Sequence, residues 1–263
     1  MKMAATIISK QLRGKIMEAK DLFDIQQVFT NIPDILRYLP VTMELAIGSM
    51  IVSLILGLGI ALIKIKKIPV LTPIATLFIS VIRGTPVLVQ LYVTYYGIPL
   101  ILKYINYKNG TNYNLNGIPS IWYAFVALAI NEAAYNAEII RASLLSVDKG
   151  QVEAASSLGM TYFQILRRII LPEAIIVALP SLGNSFIGLI KGTSLAFTCA
   201  VVEMTAQGRI IGGRTFRYFE VYISLALIYW AITIVVERII KFLEKKLAVP
   251  EQVKTPERKE VQA

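Results

Sequence analysis

Residues able to do chemistry fall in two places in this chain. One is a set of polar and ionisable side chains inside apolar runs: Glu132, Asn184, Lys191, Thr193, Ser194 and Glu203. An ionisable group at membrane depth is costly, so it faces protein interior or a water-filled path. The other is the polar stretch Glu153-Ala154-Ala155-Ser156-Ser157-Leu158-Gly159, followed further on by Ile169-x-Leu171-Pro172. It belongs to a segment of about thirty residues lodged between apolar runs, longer than most connections, and so it asks for a partner. Histidine is absent. That removes zinc–histidine sites, Ser–His triads and histidine general bases, and with no paired carboxylates the chain is expected to carry no catalytic residue and no metal.

The elements that must position these residues are apolar. Of 263 residues, 56% are hydrophobic, above the level of soluble domains. The apolar residues cluster into runs of about 20, enough to cross a bilayer. The expected class is therefore an all-α integral membrane protein embedded in lipid. No cleavable-signal pattern opens the chain, so the mature protein is expected to start near Met1. A net charge of +10 is spread over loops and tails, which argues for orientation information and against nucleic acid. The single cysteine, Cys199, cannot form an intramolecular disulfide.

Spans are expected at 41–63, 68–102, 119–140, 173–202 and about 220–240. Residues 68–102, interrupted by Arg83-Gly84-Thr85-Pro86, are counted as one crossing with a helical lead-in, and the rejected alternative is two short spans. Residues 103–118 and the basic segment 206–217 are expected to be loops. With five spans, Lys and Arg accumulate on the side holding 64–67, 142–171 and the tail, which places the N-terminus outside and the C-terminus in the cytoplasm. Residues 1–39 form an extracytoplasmic or interfacial segment, with Ile8, Leu12 and Ile16 at helical spacing. The membrane domain is 40–242, and 243–263 is a cytoplasmic tail, disordered from Pro250. Gly48, Gly57, Gly59, Gly183, Gly188 and Gly192 permit close helix contact. Glu138 and Arg141, at i and i+3, are expected to pair.

The long loop, 142–172, is expected to form two short helices. Asp148 with Gln151 is a capping-box-like start, and Val152, Ala155 and Leu158 share one face. Gly159 supplies a left-handed turn. Thr161 with Gln164 is a second capping box, opening a helix that Leu171-Pro172 stops. Two readings stand at this level: a docking element whose small residues allow close approach and whose Glu153 offers a charge, or a structured loop covering the span ends.

Glu153-Ala154-Ala155-x3-Gly159-x9-Ile169-x-Leu171-Pro172 resembles the EAA motif in membrane subunits of ATP-binding-cassette importers. Further segments resemble the polar amino-acid branch of that family: Arg83-Gly84-Thr85-Pro86 with Leu88 and Gln90, Ala134-Tyr135-x-Ala137-Glu138-Ile139-x-Arg141, Ser146-Val147-x-Lys149-Gly150-Gln151, and Lys191-x-Thr193-Ser194-Leu195. Gly192 departs from the branch, where Asp is common, and the Lys191–Phe197 stretch looks more like cystine-type permeases.

The resemblance implies a five-helix permease fold, paired with a second permease subunit and a cytoplasmic ATPase dimer. An extracytoplasmic binding protein would deliver the amino acid. ATP and Mg would be used by the ATPase, leaving no cofactor on this chain, which has no phosphate-binding Gly-x4-Gly-Lys-Ser/Thr loop. Glu153, Ala154, Ala155, Gly159, Leu171 and Pro172 would couple to the ATPase. Lys191, Thr193, Ser194 and Asn184 would line the substrate path, Lys191 meeting a carboxylate or a partner helix, and Glu132 or Glu203 an ammonium. The rival expectation is an ion- or proton-coupled secondary transporter, for which no internal repeat is found.

Overall fold

The computed structural model describes residues 23–112, 114 and 117–247. The expected helix around Ile8–Ile16 and the expected disorder from Pro250 lie outside the described residues. Among the described residues every regular element is helical.

The first helix, α1 (Ile25–Leu36), is capped by the Asp24 side chain, which accepts from Gln26 N. It lies against the start of the last helix, α10 (Tyr218–Leu247): Ser224 Oγ donates to the Val28 carbonyl at 2.7 Å, and Asp24 N to Glu220 at 3.1 Å. Between them come α2 (Leu39–Ile65), α3 (Leu71–Gly84), α4 (Val87–Asn109) and α5 (Ser120–Leu145). The short α6 (Lys149–Ser157) and α7 (Tyr162–Ile165) follow. Next is α8 (Leu171–Gly192), and then α9 (Met204–Thr215). Three helices, α2, α4 and α10, are long and apolar enough to cross a membrane, and α3 is a shorter apolar helix. Of the two other long helices, α5 carries Glu132 and α8 carries Asn184 and Lys191 within their runs.

Residues 68–102 divide into the short α3, the expected helical lead-in, and the longer α4, because Thr85 is extended (φ −117°, ψ 142°) and Pro86 occupies the cap of α4, where its missing N–H costs nothing. Two expectations are corrected. Helix α4 runs on to Asn109, well into the stretch expected to be a loop, and stops where Gly110 turns left-handed. The basic segment 206–217 is mostly helix α9.

The centre of the molecule is α5, which packs on α2, α4 and α8. On α2 the buried residues Ser49, Ser53, Gly57 and Ala61 recur at every fourth position, a stripe of small side chains. They meet the alanines of α5, so the two backbones approach closely, as apolar solvent requires of helices that must gain from packing alone. A Cβ on Gly57 would sit 3.0 Å from the Ala137 backbone nitrogen, an atom that cannot move aside. Gly183 serves the α8–α10 contact against Ile240, whereas Gly59, Gly188 and Gly192 face open space.

The end of α2 is fastened to α5 by charge. Glu138 pairs with Arg141 at 2.8 Å, as expected from spacing, and also with Lys64, which no local pattern reveals. Glu138→Ala would leave two cations facing each other. The expected result is a loss of about 1–2 kcal/mol, read as a lower thermal midpoint of the purified protein. An unchanged midpoint would mean that helix packing alone holds this end.

Candidate functional site: a polar cavity and an exposed hairpin

The break between α3 and α4 is sealed by one side chain. Gln90 Nε2 donates to the Ile82 carbonyl at 2.8 Å and the Thr85 carbonyl at 3.1 Å, taking up acceptors left free where α3 ends. Its amide oxygen accepts from Asn131 Nδ2 at 3.0 Å, tying the break to α5. Beside it opens a cavity of about 560 Å³, walled by Arg83–Val87, by Asn131, Glu132 and Tyr135 of α5, and by Ser185, Gly188 and Gly192 of α8. The Arg83 guanidinium lies 5.2 Å from the Tyr135 ring centre, a cation–π contact at the rim.

Glu132 is 7% exposed and hydrogen-bonded to Ser185. A polar ladder runs inward from there. Ser185 Oγ reaches Asn136 Oδ1 at 2.9 Å, Asn136 Nδ2 donates to Ser53 Oγ at 2.8 Å, and Ser53 donates to the Met50 carbonyl at 2.8 Å. The ladder stitches α8 to α5 and α2 across the bundle. Fully satisfied buried networks of this kind fix a helix register that apolar packing leaves loose. The cavity therefore presents one buried carboxylate on a rigid mount, with a guanidinium at its rim.

The other residues expected along a substrate path are placed elsewhere. Thr193 is buried and donates to the Ile190 carbonyl at 2.7 Å, a local bond, and Ser194 is half-buried outside the cavity wall. Glu203 is wholly buried as the cap of α9, accepting from Thr205 N at 2.9 Å, Ala206 N at 2.8 Å and Tyr229 Oη at 3.2 Å. Lys191 and Asn184 are exposed. With Ser181 and Gly188 they form an exposed stripe along α8 at helical spacing, of which Gly188 is part of the cavity wall and the others are not. Sequence reasoning missed Ser185 and Asn131, and gave Gln90 and Arg83–Pro86 only as part of the family resemblance and as a break, with no place at the cavity. The clue was present in α5, where Asn131, Glu132, Tyr135 and Asn136 recur at one-turn spacing inside an apolar run.

The hairpin forms as expected in outline. The Asp148 side chain caps α6 by accepting from Gly150 N, with no reciprocal bond from Gln151. Gly159 is left-handed at φ +78°. Thr161 and Gln164 make both bonds of a capping box. Two details differ. Leu171-Pro172 does not stop the helix. A π-helical turn, Leu166–Ile170, carries α7 into α8, with Pro172 in the first turn of α8, where its ring is tolerated. Leu158 is 84% exposed, because it occupies the C-cap of α6 beyond the last residue of the buried face that Ala155 anchors. Tyr162 (72% exposed) and Phe163 (68%) are likewise bare apolar side chains of the hairpin, and Glu153 and Ala154 are also exposed.

An all-helical bundle with apolar spanning helices, a polar cavity among them and a capped hairpin outside them defines a transport-type membrane component. Residues 49–249 match the family described as binding-protein-dependent transport system inner membrane component, and the chain belongs to that family. It is 43% identical over 227 residues to the probable amino-acid permease protein YxeN of Bacillus subtilis, covering 86% of this chain and 97% of the relative. It is 37% identical over 225 residues to the L-cystine transport system permease protein TcyL of the same organism, covering 86% and 92%. Among solved structures it is similar to a chain of an amino acid ABC transporter crystallised with histidines. There the TM-score is 0.71 at 38% identity, over 85% of this chain and 99% of the other.

Proposed function

We propose that this chain is the permease subunit of an ATP-driven importer of a polar amino acid, cystine being one candidate. In this reading it has five spans, with the N-terminus outside and the C-terminus in the cytoplasm. The observation that carries the coupling half is the hairpin: its caps close on themselves, yet Leu158, Tyr162 and Phe163 stay bare, as does Glu153. Bare apolar side chains on a rigid, capped mount are what a partner's cleft takes up. The cleft belongs to a separate ATPase dimer, which uses ATP and Mg. Glu153, Ala154 and Gly159 form the docked surface, with the buried Ala155 anchoring it from beneath, and Leu171-Pro172 carry its motion into α8.

Support for the permeation half comes from α8. The stripe Ser181, Asn184, Gly188 and Lys191 is too polar to face lipid, so it faces water or a second permease subunit. The pathway then runs between two permease copies, with Glu132 taking the substrate ammonium and Lys191 its carboxylate. An extracytoplasmic binding protein presents the substrate. Vesicles carrying the permease, its co-purifying ATPase and the binding protein are expected to accumulate amino acid on ATP alone. Uptake driven by a proton gradient without ATP hydrolysis would overturn this reading. Lys191→Ala is expected to lose most transport while the ATPase still co-purifies, since Lys191 is exposed and makes no ion pair among the described residues. Full uptake by that variant would remove Lys191 from the path.

A further inference from the structure

We infer that the cavity between α3, α5 and α8 seats one zwitterionic amino acid with an uncharged side chain, its carboxylate on Arg83 and its ammonium on Glu132. This rests on the amino-acid reading above and narrows it. The only charged residues in the cavity wall are Arg83 and Glu132, one of each sign, carried by different helices. They form no ion pair with each other or with another described residue. Each is held by a neutral neighbour instead. Glu132 has the Ser185 hydroxyl, and the Arg83 guanidinium has the Tyr135 ring, 5.2 Å away. Arg83 donates no hydrogen bond to a described residue, so its fork of N–H groups is open. That fork matches a carboxylate with two parallel bonds, and the second Glu132 oxygen is open to an ammonium. A molecule carrying both charges satisfies both residues, which a lone anion or a lone cation does not.

The side-chain class follows from what else lines the wall. A volume of about 560 Å³ falls within the range of about 300–1,000 Å³ for small-molecule sites, so there is room for a side chain beside the two charged groups. The other polar lining groups are neutral: Thr85, Asn131, Tyr135 and Ser185. A cationic side chain would meet no second carboxylate there, and an anionic one no second cation. Cystine, with two zwitterionic ends, would leave one end unpaired. The wall therefore suits a neutral polar amino acid of the kind glutamine represents. Gly192 is the position that would change this. It lines the wall in right-handed backbone geometry, and a Cβ there meets no atom within 4 Å, so a carboxylate added at this position pushes nothing aside. Lys191 lies outside the wall and is left to meet the substrate carboxylate along the α8 stripe.

The test is equilibrium binding to the purified permease–ATPase complex, without ATP and without the binding protein, so that this chain's own preference is read. Radiolabelled glutamine is competed by arginine, by cystine and by γ-aminobutyramide, which is glutamine without its carboxylate. Wild type is expected to bind glutamine about tenfold tighter than each competitor. Arg83→Gln is expected to lose about tenfold for glutamine and nothing for γ-aminobutyramide, since that probe lacks the group Arg83 would hold. Equal losses for the two would make Arg83 a structural residue and overturn the assignment. Gly192→Asp is expected to shift the preference toward arginine by about tenfold, through the added carboxylate. No binding of glutamine by wild type, tighter binding of arginine or cystine, or an unchanged preference in Gly192→Asp would each overturn the proposal. If Arg83→Gln does not assemble, the wild-type ratios and Gly192→Asp decide alone. Failure of ATP-driven uptake with these affinities intact would count against the permease reading and leave the seat standing.

Discussion

Gly159→Leu is expected to lower ATP-driven uptake by about tenfold while leaving the chain folded in the membrane. At φ +78° an ordinary L-residue costs about 1–2 kcal/mol, and glycine costs nothing. A Cβ at this position meets no atom within 4 Å, so the penalty is purely one of backbone conformation and no neighbour is pushed. The strain can be relieved only by changing the angle between α6 and α7, because both helices are capped and stiff on either side of it. A changed angle moves Leu158, Tyr162 and Phe163 relative to Glu153, and a penalty of about 1.4 kcal/mol on the docking-competent arrangement is a factor of ten in its population. Gly159→Asn provides the control, since asparagine tolerates the left-handed region. It is expected to keep most of the activity. Uptake and ATPase co-purification measured on both variants decide the matter. Wild-type uptake in Gly159→Leu would show that the hairpin angle does not carry the coupling.

That hairpin was legible because its determinants are local. A cap, a left-handed glycine and a capping box each act within a few residues, so Thr161, Gln164 and Gly159 state their roles in the sequence itself. The α9 helix was hidden for the opposite reason. Its residues are glycine- and arginine-rich, and the signal that starts it, Glu203 accepting from two backbone N–H groups, is in the sequence equally a candidate, beside Glu132, for a substrate ammonium. A carboxylate at a helix start is ambiguous from spacing alone: capping and ligation ask for the same atom. Lys64 and Glu138 lie 74 residues apart in the chain, and Ser185 and Glu132 lie 53 apart. No periodicity connects such pairs, since only the packing of α2, α5 and α8 brings them together. The apolar character of those helices was plain, and the face each turned inward was not. On α2 that face is set by the small residues at every fourth position, a weaker signal than the surrounding leucines and isoleucines.

The cavity carboxylate gives the second large effect. Glu132→Gln is expected to raise the KM for uptake by about ten- to a hundredfold, with basal ATPase activity, co-purification and thermal midpoint unchanged. Glutamine is isosteric and its amide NH2 can donate to Ser185 Oγ while the single Ser185 proton goes to Asn136 Oδ1, so the ladder through Asn136 to Ser53 stays satisfied and the helices keep their register. The negative charge is all that is removed. A hydrogen bond to a charged group is worth about 1.5–3 kcal/mol, and a buried site magnifies the loss because no water replaces the carboxylate. Glu132→Ala would be a poorer probe, since it also strips Ser185 of a partner and opens a void beside it. The pair separates two roles for one residue. If Glu132 only braces α5 against α8, Gln leaves KM untouched while Ala lowers the midpoint. If it receives the substrate ammonium, Gln raises KM and leaves the midpoint where it was. The placement of Glu132 on the cavity wall, held at one oxygen by Ser185 with its other oxygen accepting no hydrogen bond from a described residue, favours the second outcome.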